Sequence, residues 1–486
     1  MKLSKASKAN MLSDRLEMKG YWWLPESDNK VSGILFYEKN EIRLELLGTL
    51  GELSTIGNDQ KQYEIIMGFT EKGERITLIS CIPSNFSMNF PGYITETYSV
   101  NSFIIGGHFD SIEDTSFHSV AFYPTYLTTW LEKSPFKVLY NNENPEHKTE
   151  IKFVAPEVIK IAVPSIKATI EDTYDSKLNG NTNEQISWIF KSGIKITPDQ
   201  TRSLNWFEEK IFSFNNLLTL LFGIPIYHEK IVFYGNEKHY SNAEVTKREK
   251  YYWFFNQPKP KLKEKVSKRD FLITFSEIRE PFSKIVNSWF NKEERLRTVF
   301  DLYISDFYKE IYIDTSFLNV VQTLETYHRR TYNGKVFDDD LFEEYRKEIV
   351  EFVTNNLPEE LHNKFTSKYG NEYSLSQRLK EIMSELSPET VTTLFSSNRK
   401  KKKFIQQIVD TRNYLTHFDD EGKKNILYSI DEKYYAIFRL RALNTILLFK
   451  ELEIEEETIL QRVQQSKQYS YLLKEAGLSR KVCKLF

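Results

Sequence analysis

The chain has 486 residues, 40% of them hydrophobic, 28% charged and 14% aromatic, with only 18 Gly and 15 Pro. That is the composition of a soluble globular chain of two to four domains, and the scarcity of Gly and Pro argues against long disordered linkers. A formal net charge of −2 excludes a globally basic nucleic-acid binder, so any such binding needs a local patch.

From the N-terminus, Met1 to Arg15 is basic and polar without an apolar core, which predicts no secretory signal. Up to about Ser165 the pattern is β-structure. Gly33–Tyr37 and Ile42–Leu46 are short apolar runs joined by a Lys39-Asn40 turn, and the second alternates as a half-buried strand does. Tyr63–Phe69, Arg75–Ile82, Tyr93–Ile105 and Ser119–Tyr123 continue it, and Lys152–Ser165 adds strands broken by Pro156 and Pro164. Residues 166–300 read as a mixed α/β region. Gln185–Ile196 predicts one or two strands and Ile231–Tyr234 another. Between them Trp206, Phe207, Ile211, Phe214, Leu217, Leu218 and Leu221 fall at helical spacing, stopped by Gly223 and Pro225. Lys247–Lys268, charged and proline-bearing, predicts an exposed loop, with helices resuming near Phe271 and Trp289. Residues 301–486 are almost wholly helical. Phe317–Tyr332, Leu341–Asn355, Ser374–Leu386, Lys403–His417 and Tyr434–Glu457 predict a bundle. The fold class expected is therefore α+β: a β-rich region (1–165), a mixed middle region (166–300) and an all-α C-terminal bundle (301–486).

Cys81 and Cys483 are the only cysteines, too few for a disulfide framework or a thiolate metal site, which predicts a reducing cytoplasm. The longest apolar runs, such as Leu217–Phe222, are far shorter than a membrane span. The histidines show no metal-ligand spacing, so neither metal nor cofactor is expected. His108 follows Gly106-Gly107, which lacks the further glycines and the lysine of a phosphate-cradling loop.

The stretch that carries chemistry is Asp410-Thr411-Arg412-Asn413-Tyr414-Leu415-Thr416-His417. At about 100° per residue, Arg412 falls inside the apolar arc of Ile405, Ile408, Val409 and Leu415. A guanidinium there is costly unless paired or functional. With a histidine near by, it has the parts of a metal-free phosphodiester-cleaving site. The structural alternative is that Arg412 pairs with a buried carboxylate and that His417 is merely exposed at a helix end. On one unbroken helix the two residues point about 140° apart, so they converge only if the helix ends near Thr416 or a second chain completes the site. Asp419-Asp420-Glu421-Gly422 fits such an end. Glu325, beside the apolar face of Phe317, Leu318, Val321 and Leu324 with His328, is a candidate to orient Arg412 or the histidine; a surface i,i+4 pair with Arg329 is the alternative. The basic run containing Lys400, Lys401, Lys402 and Lys403 leads into the Arg412 helix and is a candidate RNA-backbone contact, or else a solvated face.

Arg412-Asn413-x-x-x-His417 on a late helix of an all-helical region resembles the HEPN ribonucleases. Gly20-Tyr21-Trp22-Trp23-Leu24-Pro25 followed by Val31–Leu35, and Gly107-His108-Phe109 leading into Phe122 and Trp130, resemble the ApeA branch of bacterial antiphage HEPN proteins. Glu325-x-x-His328-Arg329 and Gln377-Arg378-Leu379 are similar to stretches of that HEPN domain. The resemblance implies a metal-independent endoribonuclease acting in abortive infection by cutting cellular RNA. It also implies a HEPN-mediated homodimer or higher homo-oligomer, with two copies of Arg412 and His417 lining a shared cleft. The N-terminal region would then answer an unidentified phage-derived trigger or hold the nuclease inactive.

In such a site the 2′-OH of RNA attacks the adjacent phosphate. His417 would act as general base or acid and Arg412 would stabilise the phosphate charge. Asn413 would bind the phosphate or orient His417, with Glu325 in support. A non-catalytic RNA-binding or dimerisation scaffold is the competing reading. A DNA-directed restriction factor ranks last, for want of a paired-carboxylate metal motif.

Overall fold

The computed structural model describes residues 11–12, 14–38, 41–51, 61–140, 149–181, 184–239, 246–257, 262–263, 265–309, 311–365, 368–466 and 469. The expected Lys39-Asn40 turn and Cys483 lie outside the described residues. The chain forms two compact units, Met1–Phe290 and Asn291–Phe486.

In the first unit six strands close on themselves: β1 (Leu16–Trp23), β2 (Val31–Glu38), β3 (Glu41–Leu47), β4 (Tyr63–Thr70), β5 (Arg75–Met88) and β6 (Ile94–Ile105). The antiparallel pairings β6–β3, β3–β2, β2–β1, β1–β4, β4–β5 and β5–β6 complete a barrel. Closure removes the free edges an open sheet would expose. Alternation drives it: in β2 every second residue, from Val31 to Tyr37, is buried. Trp22 is fully buried and pairs across the β1–β4 ladder with Gly68, over which its ring lies.

Beyond the barrel come β7 (Ser119–Pro124), α1 (Leu127–Trp130), β8 (Phe136–Tyr140), β9 (Thr149–Phe153), β10 (Lys160–Val163), β11 (Ala168–Asn181), β12 (Gln185–Pro198), α2 (Leu204–Phe222), β13 (His228–His239), β14 (Thr246–Phe255) and α3 (Phe275–Ile278). β6 pairs with β3 through Thr95–Ser99 and with β14 through Ser102–Ile105. From β14 the sheet runs on as β13-β7-β12-β11-β10, while β8 and β9 form a separate ribbon. Strands from both sides of residue 165 thus interleave, and no break in the sheet falls at that position. All six residues of β7 are buried, as befits a strand covered on both faces. α2 places Phe207 against Phe233 and Phe214 against Phe122; each such ring contributes roughly 1.5–3 kcal/mol by leaving water.

One expectation is overturned here. Lys247–Lys268 is not one exposed loop, because its first part is β14, with Trp253, Phe254 and Phe255 buried. The charges that masked it occupy the far end of the β13–β14 ribbon, where Arg248 pairs with Glu237 at 2.9 Å.

His228 at the start of β13 is 1% exposed, lies among Phe122, Phe212 and Phe255, and neither ring nitrogen has a hydrogen-bond partner among the described residues. Burial pushes its pKa down to about 3. The unfolded chain, near 6.5, therefore binds the proton more readily than the folded one. Stability is lost as pH falls below about 6.5 and continues to fall towards 3. His228→Leu is expected to remove this slope, shrinking the drop in thermal midpoint between pH 7 and pH 5. An unchanged drop would mean that other groups carry the acid sensitivity.

The second unit holds most of α4 (Phe282–Tyr308), then α5 (Ile313–Thr331), α6 (Asp339–Asn356), α7 (Glu359–Phe365), α8 (Leu375–Ser384), α9 (Pro388–Phe395), α10 (Asn398–His417), α11 (Ile430–Glu451) and α12 (Glu456–Gln465). α11 is buried nearly all round from Leu440 to Phe449 and carries more buried residues than any other helix of the bundle. Its start is fixed by a reciprocal Ser429–Glu432 cap. The helix expected over Tyr434–Glu457 is two. Glu453, in the left-handed region at φ 61°, breaks it, and the buried Leu452 and Ile454 tie the break into the core. No helix among the described residues is long and apolar enough to cross a membrane.

Candidate active site

α10 positions the chemistry. Ser397 caps it by accepting from the Lys400 amide at 3.3 Å, so the helix begins five residues before the expected Lys403 and takes in the basic run. It ends at His417, and Phe418 turns away in the left-handed conformation at φ 53°.

Arg412 keeps its inward-facing angle, but the packed layer thins towards this end of α10. Phe404, Ile405 and Ile408 are buried, whereas Val409 and Leu415 are only half-buried. Arg412 is accordingly not enclosed; its side chain is 34% exposed. Its Nη1 donates to Asn413 Oδ1 at 3.2 Å, and its Nη2 lies 3.9 Å from Glu325 Oε2 on α5. Glu325 also accepts from Arg329 Nη2 at 3.2 Å, so the carboxylate faces both arginines.

Asn413 is engaged with Arg412, and among the described residues it makes no bond to His417. His417 is exposed, and among the described residues its ring has no hydrogen-bond or ion-pair partner. Since α10 is unbroken through His417, Arg412 and His417 leave it about 140° apart. One chain brings Arg412, Asn413 and Glu325 together and leaves His417 to one side.

The basic run divides. Lys401 Nζ donates to the Met383 carbonyl at 2.8 Å, closing the end of α8, and burial lowers its pKa. Lys400, Lys402 and Lys403 are exposed. Along α10 they lie roughly 14–18 Å from Arg412, at 1.5 Å per residue.

Two residues of the motif do work that the sequence did not point to. Asp410 is buried; its Oδ2 accepts from the Asn425 backbone and side-chain nitrogens at 3.2 and 3.1 Å, and its Oδ1 accepts from Gln406 at 2.8 Å. Thr411 Oγ1 accepts from the Leu427 amide at 2.9 Å. Together they pin the returning chain to α10 and so define the loop that follows His417. A short acidic side chain directly after Ile408-Val409 was the available signal.

His328, placed by the sequence beside the apolar face of α5, is fully buried. Its Nδ1 lies 2.9 Å from Arg378 Nη1 and its Nε2 lies 2.6 Å from Glu381 Oε2. Burial, partly offset by the Glu381 hydrogen bond, holds it below the usual histidine range and therefore neutral near pH 7.

Fold and site together define a class: a closed β-barrel continued as an antiparallel sheet, and a helical bundle with an Arg-Asn-x3-His helix. The family model ApeA N-terminal domain 1 matches residues 17–289, and the Apea-like HEPN model matches residues 318–458. The chain belongs to the ApeA-type HEPN proteins. No curated protein and no solved structure matches it.

Proposed function

We propose that this chain is a metal-independent endoribonuclease of antiphage defence, cutting cellular RNA in the manner of abortive infection. The observation that carries the reading is Arg412: an arginine on the inward side of α10, braced by Asn413 and Glu325, yet open to solvent and five residues along the helix from an exposed histidine.

In the reaction the ribose 2′-oxygen attacks phosphorus and the bond to the 5′-oxygen breaks. The products are a 2′,3′-cyclic phosphate and a 5′-hydroxyl. His417 takes the 2′-OH proton or gives one to the departing 5′-oxygen, as general base or acid. Arg412 is permanently charged and pairs with two phosphate oxygens as negative charge builds. Because Arg412 and His417 diverge within one chain, the cleft is completed in a homodimer, Arg412 of one copy lying near His417 of the other. Lys400, Lys402 and Lys403 hold the RNA backbone away from the cut. The N-terminal unit, residues 17–289 by family, answers the phage-derived trigger.

A scaffold that binds RNA or a second copy without catalysis is the second reading, favoured by the same divergence. The purified protein, incubated with RNA in EDTA, is expected to leave 2′,3′-cyclic phosphate and 5′-hydroxyl ends and to spare DNA, which lacks the nucleophile. A strict need for Mg²⁺, or 5′-phosphate ends, overturns the mechanism. Because this reading includes a nuclease held inactive until triggered, the assay is paired with growth arrest on expression in cells.

A further inference from the structure

We propose that a chain of alternating charge, buried at one end and open at the other, fixes the position of the Arg412 guanidinium, with His328 and Arg378 as its anchor. The proposal rests on the reading of Arg412 as a phosphate-binding group and adds the residues that position it.

The buried end is rigid by chemistry. An arginine has no acceptor, so Arg378 Nη1 must donate to His328 Nδ1 at 2.9 Å. The imidazole proton then sits on Nε2 and is donated to Glu381 at 2.6 Å. The ring stacks on Tyr332 with centroids 4.8 Å apart and planes 7° from parallel. Gly334, at φ +62°, closes over the pair: a Cβ there would lie 2.8 Å from Arg378 Nη1 and 2.9 Å from His328 Cε1. Only glycine lets the loop approach so closely and adopt that conformation without strain.

From this anchor the charges alternate outward. Arg378 Nη2 donates to Glu372 Oε2 at 3.1 Å, and the same oxygen accepts from Arg329 Nη1. Arg329 Nη2 donates to Glu325 Oε1, whose other oxygen faces Arg412. Arg378 is 2% exposed, while Arg329 and Arg412 have side chains 46% and 34% exposed. A lone half-exposed pair at 3.9 Å holds an arginine only weakly. Glu325 does better because its own rotamer is already set by Arg329, and Arg329 by Glu372. A buried arginine and histidine are costly to keep in place of apolar side chains; locating a guanidinium accounts for their presence. Misplacing a catalytic group by about 1 Å can cost up to 10²-fold in rate.

The test uses the full-length chain and a single-stranded RNA oligonucleotide with 2′-O-methyl riboses, which binds but cannot be cut. Arg412→Ala is expected to weaken binding roughly tenfold, the loss of one charge-assisted contact. Arg378→Met is expected to weaken it by a similar factor, and the double variant by no more than Arg412→Ala alone. Glu325→Gln and Arg329→Gln, at the exposed end, should show the same non-additivity and serve if Arg378→Met does not fold. Losses that multiply in the double variants, or no loss from any of the three, overturn the positioning role while leaving the site intact. No loss from Arg412→Ala overturns the reading of the site itself and the positioning proposal with it.

Discussion

Replacing Arg412 with alanine is expected to slow RNA cleavage by roughly 10²–10³-fold, the usual loss when one preorganised donor to a developing negative charge is removed. His417→Ala should cost about 10²–10⁴-fold, the range of a general acid–base group. Both variants should fold normally. Arg412 is half-open and His417 is exposed, so neither removal leaves a packed cavity. Both should also lose toxicity in cells. If the active unit is a dimer, co-expressing the two variants restores part of the activity, because a mixed dimer rebuilds one complete cleft from the intact Arg412 of one copy and the intact His417 of the other. Full activity in both single variants would sink the nuclease. Loss of cleavage with phage protection preserved would leave the scaffold reading in its place.

The second large effect concerns stability. Gly68→Val is expected to destabilise the N-terminal barrel by about 3 kcal/mol, at the upper end of what overpacking costs. A Cβ at Gly68 would stand 2.3 Å from two atoms of the Trp22 ring. That ring is fully buried between β1 and β4, and Trp22 and Gly68 face each other in the ladder. The ring cannot yield without dragging β1 out of register. Urea unfolding followed by tryptophan fluorescence reads the shift in midpoint; a midpoint within error of wild type would mean that the barrel gives way here.

How much of this was written in the order of residues depends on the distance over which each decision is made. The β-strands of the barrel were legible because alternation with period two is local: Val31, Gly33, Leu35 and Tyr37 point one way whatever lies across from them. α2 and α10 were legible for the same reason at period 3.6. β14 was hidden because its leading residues, Thr246–Lys250, are mostly charged, and only pairing with β13 and β6 makes a strand of the whole. The Arg-Asn-x3-His motif was visible, and so was the angle that divides its ends.

The class of each half, the helix that carries Arg412 and His417, and the inward direction of that arginine were readable from residue order, since all of these follow from backbone periodicity. Tertiary structure alone decided that strands from either side of residue 165 share one sheet, that the core thins enough at the end of α10 to leave Arg412 open, and that Lys401 is tied to α8. It alone joined His328, Arg378, Glu372, Arg329 and Glu325 into one line of charge. The line of charge depends on side chains up to 50 positions apart meeting at hydrogen-bond range, and the shared sheet on backbone pairing over still longer separations; no local pattern of residues encodes such a meeting.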